Sequence, residues 1–241
     1  MELLHILLLI IIGLAAGFIQ RVSGFGLAIF AMMFLPYLAP THTAAVAIAC
    51  LFSTATTVYN TLRYRKNIEY RTVIPMLCAA LPTITVAVYF SSVVSARVFS
   101  ILLGLVLIAL SAYFLFFIER IKIRPTLSGG LFTGALSGVL GGLFSTSGPP
   151  VVLYLSNATS DNAVYFATIQ FYFCITNVYS TVVRAANGII DGTVLLYAAV
   201  GIVGCLLGDA LGTRVFERLD SARLKRIIYI GMIVSGALML F

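Results

Sequence analysis

Two short stretches of the chain combine the residue types that hold an anion through backbone and hydroxyl donors. Ser23-Gly24-Phe25-Gly26 and Ser145-Thr146-Ser147-Gly148-Pro149-Pro150 each interrupt a long apolar run. Where a helix restarts after such a break, its first N–H groups are free and carry a partial positive charge, which suits an anion. Glycine allows close backbone approach, hydroxyls supply donors, and proline fits the first turn of the restarted helix. Arg21 stands beside the first break, away from the other basic residues. A guanidinium at membrane depth costs at least ~2.5–3.5 kcal/mol, so it either faces an anion or marks the interface where the first helix ends. Gln20, Asn60, Gln170 and Asn177 also lie inside apolar segments, expected either to bridge helices or to line a polar path. The expected substrate-binding set is therefore Arg21, Ser23, Gly24, Gly26, Ser145, Thr146, Ser147 and Gly148, with Gln20, Asn60, Gln170 and Asn177 behind them.

These residues need a membrane-spanning frame, and the composition supplies one. Of 241 residues 61% are hydrophobic and 10% charged, too little polar surface to coat a water-soluble domain. Ten apolar segments run at approximately 3–20, 25–40, 43–62, 72–94 and 98–118, then 126–144, 148–157, 163–183, 192–211 and 226–241. Most approach the ~20 residues that cross a bilayer as a helix, and helices satisfy their own backbone groups. The expectation is an all-α polytopic membrane protein. The start, Met-Glu-Leu-Leu-His, lacks the basic region of a cleaved signal, so 3–20 is read as the first membrane segment. Cys50, Cys78, Cys174 and Cys205 lie in apolar segments without metal or disulfide spacing and are read as packing residues. Carboxylates are scarce in the segments, which argues against a metal site or a cation channel. No cofactor is expected.

An ordered set of matches relates two halves, residues 1–124 and 125–241. Gly13 and Gly17 return as Gly134 and Gly138, Val58-Tyr59 as Val178-Tyr179, Thr72-Val73 as Thr193-Val194, and Ser95-Ala96-Arg97 as Ser221-Ala222-Arg223, about 120 to 126 residues apart. The position matching Arg21 falls near Gly141 and Gly142, so that charge is not repeated. Twelve of the 15 basic residues lie in three connections, at 63–71, 120–124 and 214–226, whereas the connection from Arg184 to Gly192 is almost uncharged. By the positive-inside rule the first three are cytoplasmic and the last is outside. The net charge of +7 thus has a topological explanation and gives no reason to invoke nucleic acid. Two inverted-topology repeats with both termini outside are expected, each with about five segments and a broken or re-entrant helix near its start. The first two segments of each half read equally as full spans or as hairpins.

The stretch from Gly17 through Gln20-Arg21-Val22-Ser23-Gly24-Phe25-Gly26 to Leu35-Pro36 resembles the first signature of the TauE/SafE sulfite-exporter family. Gly134 to Tyr154, including Gly148-Pro149-Pro150, resembles its second. That resemblance implies a bacterial or archaeal inner-membrane permease for sulfite, sulfonates or related anions. Ser145, Thr146 and Ser147 stand where that signature often carries glycines, so the substrate does not transfer with the resemblance. The partners expected are a small anion and membrane lipid, and a homo-oligomer is compatible with the sequence. Rival readings are an intramembrane enzyme acting on a lipid-linked phosphate and a structural membrane subunit. The enzyme needs clustered acids, yet no Glu lies between Glu2 and Glu69 or between Glu119 and Glu217. Matched breaks are superfluous to a structural subunit. Cysteines placed at 66 and 122 should label from the cytoplasm and one at 188 from outside. Labelling of 188 on the same side as 66 removes the argument for inversion.

Overall fold

A computed structural model describes residues 3–116, 126–159, 161–215, 230 and 233–240. The basic residues Arg120, Lys122, Arg124, Arg218, Arg223, Lys225 and Arg226, and part of the tenth apolar segment, lie outside the described residues. Those described form helices α1 (Leu3–Ser23), α2 (Leu27–Ala31), α3 (Leu35–Leu38), α4 (His42–Tyr64), α5 (Tyr70–Val93), α6 (Ala96–Phe116), α7 (Leu127–Phe144), α8 (Gly148–Ala158), α9 (Asn162–Ala186) and α10 (Gly192–Val215), with residues 233–240 also helical. Seven of them, α1, α4, α5, α6, α7, α9 and α10, are long and apolar enough to cross a membrane.

The segments at 25–40 and 148–157 do not become spans. The first splits into α2 and α3, only 5 and 4 residues long, and the second into the 11-residue α8. Tyr154 on α8 donates to the carbonyl of Thr126, just before α7 begins, at 3.0 Å. Ala158 and Thr159 at its end lie beside Lys66 and Glu69 of the α4–α5 connection. The α7–α8 hairpin therefore leaves on the side where it entered.

In lipid, helices gain little from hiding apolar surface against one another, so close backbone packing through small residues carries the association. The glycines supply it. A Cβ on Gly13 would strike the carbonyl of Gly201, and one on Gly17 the carbonyl of Cys205, so α1 is locked on α10. The same register recurs between α7 and α5, where Gly134 rides on the Met76 carbonyl and Gly138 on that of Ala80, 2.6 Å from an added Cβ. Each half thus lends its first helix to the other half.

Matched contacts climb together along α1, α4 and α10: Phe52 sits against Gly201, and Asn60 reaches Asp209. They climb together along α5, α7 and α9 as well, from Tyr70 against Phe171 to Thr85 against Tyr179. Between the two sets the direction reverses, since Tyr64 meets Phe166 at one end of the α4–α9 pair and Cys50 meets Thr181 at the other.

Gly17→Leu or Gly134→Leu should lower the thermal midpoint of the purified protein by roughly 3–10 °C, the range expected of overpacking by about 1–3 kcal/mol. Gly192→Ala, where an added Cβ meets nothing within 4 Å, is the control and should leave the midpoint unchanged.

Candidate functional site

The two breaks meet at the centre of the bundle. A Cβ on Gly148, the first residue of α8, would lie 3.1 Å from the ring of Phe25 in the other break. Each break leaves backbone groups without helical partners, and in a membrane the protein itself must satisfy them.

At the first break two glutamines do so. Gly24 and Gly26 adopt φ of 78° and 99°, which only glycine takes without strain, and this turns the chain from α1 into α2. Gln20 Oε1 accepts from the N–H of Leu27 at 3.3 Å, and Gln170 Nε2 donates to the Gly24 carbonyl at 2.9 Å. Gln20 Nε2 and Gln170 Oε1 stand 3.5 Å apart. Ser23 Oγ sits 2.5 Å from the carbonyl of Ile19 and 3.0 Å from that of Phe25. These side chains are occupied in holding the turn.

The second break is finished differently. Ser145 takes the left-handed conformation (φ 58°), and its N–H closes α7 on Gly141 at 2.9 Å. That conformation costs a non-glycine residue on the order of 1 kcal/mol or more. The Ser147 carbonyl accepts from Ser137 Oγ, which accepts from the Tyr172 hydroxyl, both at 2.9 Å. Pro149 and Pro150 fill the first turn of α8 and carry no N–H, so this helix start offers its partial charge but few backbone donors. Hydroxyls make up the difference. Ser145 Oγ and Thr146 Oγ1 are buried and have no hydrogen-bond partner among the described residues.

Between the breaks lies a small polar cavity. Its wall combines Gln20 and Gly26 from the first break, Ser145, Thr146, Ser147 and Gly148 from the second, Ser53 and Thr57 of α4, and Phe173 and Asn177 of α9. No charged side chain lines it. The space amounts to about 20 Å³, enough for little more than one water, so an anion enters only if the walls part. Seven of the twelve expected site residues line this cavity, and Gln170 braces it through Gly24. Ser53 escaped the sequence reading; a serine in an apolar helix gives no signal until its neighbours are known.

Arg21 is elsewhere. With Ser23 and Gly24 it lines a separate vestibule of about 610 Å³ shared with Tyr64, Asn162, Tyr165 and Phe166. Its guanidinium donates to Tyr64 Oη at 2.6 Å and to Asn60 Oδ1 at 3.3 Å, and lies 5.2 Å from the centre of the Phe166 ring. Asn60 Nδ2 donates in turn to Asp209 Oδ1 at 3.2 Å. Asp209 is 2% exposed, and its carboxylate joins Arg21 through the amide of Asn60. The vestibule opens at the end of α4 that carries Arg63, Arg65 and Lys66.

A family model for the sulfite exporter TauE/SafE matches residues 9–239. Among curated proteins, the probable sulfite/organosulfonate exporter TauE of Cupriavidus necator is 27% identical over 233 residues, covering 92% of this chain and 89% of that protein. No solved structure matches the chain. The seven apolar helices, the paired breaks and a family match over nearly the whole length have one reading: this multi-pass membrane protein belongs to the TauE/SafE sulfite exporter family.

Proposed function

We propose that the chain exports a small sulfur oxyanion, sulfite or a sulfonate, across the inner membrane, and that the polar cavity between the two breaks is its central site. The observation that carries this reading is a buried polar pocket with no fixed charge but with two unpartnered hydroxyls beside a helix start. Neutral donors hold an anion well enough to strip its water and weakly enough to release it, as passage requires. The side-chain amide of Asn177 faces the same space. An inside-negative potential favours outward movement by ~2.3 kcal/mol per charge per 100 mV, so a divalent anion leaves without a coupling ion.

Residues 1–124 and 125–241 act in this reading as inverted-topology repeats that rock about the cavity. The opposed directions of α1 and α7 support it, as does the exchange of those helices between halves. Arg21 gathers the anion at the cytoplasmic vestibule, where the two oxygens of one oxyanion suit its planar fork.

Ser145→Ala combined with Thr146→Val should raise the half-saturating sulfite concentration for transport in proteoliposomes about tenfold, the effect of losing about 1.4 kcal/mol of binding. The thermal midpoint should hold, because these hydroxyls bond no described protein group. Unaltered transport moves the site away from the second break. Arg21→Lys should slow uptake from the vestibule side several-fold while retaining the charge. Wild-type kinetics in that variant reduce Arg21 to an interfacial anchor.

A further inference from the structure

The near-uncharged connection expected to begin at Arg184 does not begin there. Arg184 lies in the last turn of α9, and its side chain is completely buried. Nη2 donates to the Gly142 carbonyl near the end of α7, while Nε and Nη1 have no hydrogen-bond partner among the described residues. No described carboxylate faces it; the ionisable neighbour is the thiol of Cys50, whose sulfur is at most a weak acceptor beside the guanidinium. A guanidinium does not shed its proton, so burial leaves a standing charge. Such a charge is costly unless an anion comes to it.

We propose that Arg184 is a second anion-binding position, serving the outer end of the path as Arg21 serves the inner end. This rests on the transport reading above. Its placement follows the repeat. Gly142 occupies the position matching Arg21, and the carbonyl there is met by Arg184, which occupies the position matching Tyr64, the residue that meets Arg21. Arg21 therefore serves one end of the bundle and Arg184 the other, the first carried on a first helix in one half and the second on a third helix in the other. A line of free donors connects Arg184 to the cavity. Asn177, Ser180 and Arg184 share one face of α9; Asn177 lines the cavity, and Ser180 Oγ is buried without a partner. Ser145 and Thr146, also unpartnered, follow Gly142 within a turn. An anion leaving the cavity outward meets hydroxyls and then a desolvated cation that offers more than one N–H. The ligand class is a small oxyanion with at least two exposed oxygens.

The test is thermal unfolding of the purified full chain in detergent, titrated with sulfite at constant ionic strength, because a ligand that binds only the folded state raises the midpoint. Wild type, R184Q, R184K and the S145A/T146V pair are compared. The expected result is a baseline midpoint in R184Q equal to or above wild type, with at least a tenfold higher sulfite concentration needed for the same rise. R184K should fall between the two, and it carries the test if R184Q does not fold. A lowered baseline with an unchanged sulfite response means that Arg184 only caps α7, and overturns the proposal. If the S145A/T146V pair loses the response while both Arg184 variants keep it, the central site stands and the outer one falls. If sulfite and alkanesulfonates leave the wild-type midpoint unmoved, the transport reading itself fails.

Discussion

Peptide groups in the middle of a bilayer find no water, and two interruptions of helical structure place several such groups there. Much of the interior is arranged around that shortage. Gln20 and Gln170 reach from α1 and α9 to the loose N–H of Leu27 and the loose carbonyl of Gly24. Ser137 and Tyr172 perform the corresponding task at Ser147. The two solutions are unequal. Amides hold the first break, whereas the second keeps two hydroxyls without a partner among the described residues, and the proposed ligand site rests on that difference.

The breaks stay in contact because the helices around them are clamped by backbone proximity rather than by large side chains. Gly13 and Gly17 against Gly201 and Cys205, and Gly134 and Gly138 against Met76 and Ala80, set two equivalent seams. Since each seam joins one half to the other, movement of either half carries a helix that belongs in sequence to its neighbour. Phe25 against Gly148 joins the two breaks between those seams.

Hydropathy and composition sufficed for the helical class, the two breaks and most of the cavity wall, because glycine, serine and proline inside apolar runs are conspicuous. Depth and partnership were not visible. Arg184 was counted with a loop because it comes late in an apolar run, and only the length of α9, to Ala186, shows that it is enclosed. For Gln20 and Gln170 the sequence left bridging and path-lining both open, and their backbone partners, at Leu27 and Gly24, became visible only in the fold. The link from Asp209 to Arg21 has no sequence signal because it runs through Asn60, on a helix distant in sequence. Repeat alignment also misled for the charges. It compares like helix with like helix, whereas the two guanidiniums reach related places from different helices.

The seam between α1 and α10 bears on how the protein is made. Ribosomes add roughly 5–20 residues per second, so α1 enters the bilayer about 10–40 s before the glycines it packs against exist. Until then its glycine face, smooth and open to backbone approach, stands against lipid or against whatever other helix is nearby. The α5–α7 seam, formed between neighbours in the chain, closes early by comparison. The α1–α10 seam thus closes only after α10 has emerged, and in the interval before that step the glycine face of α1 is open to a wrong partner.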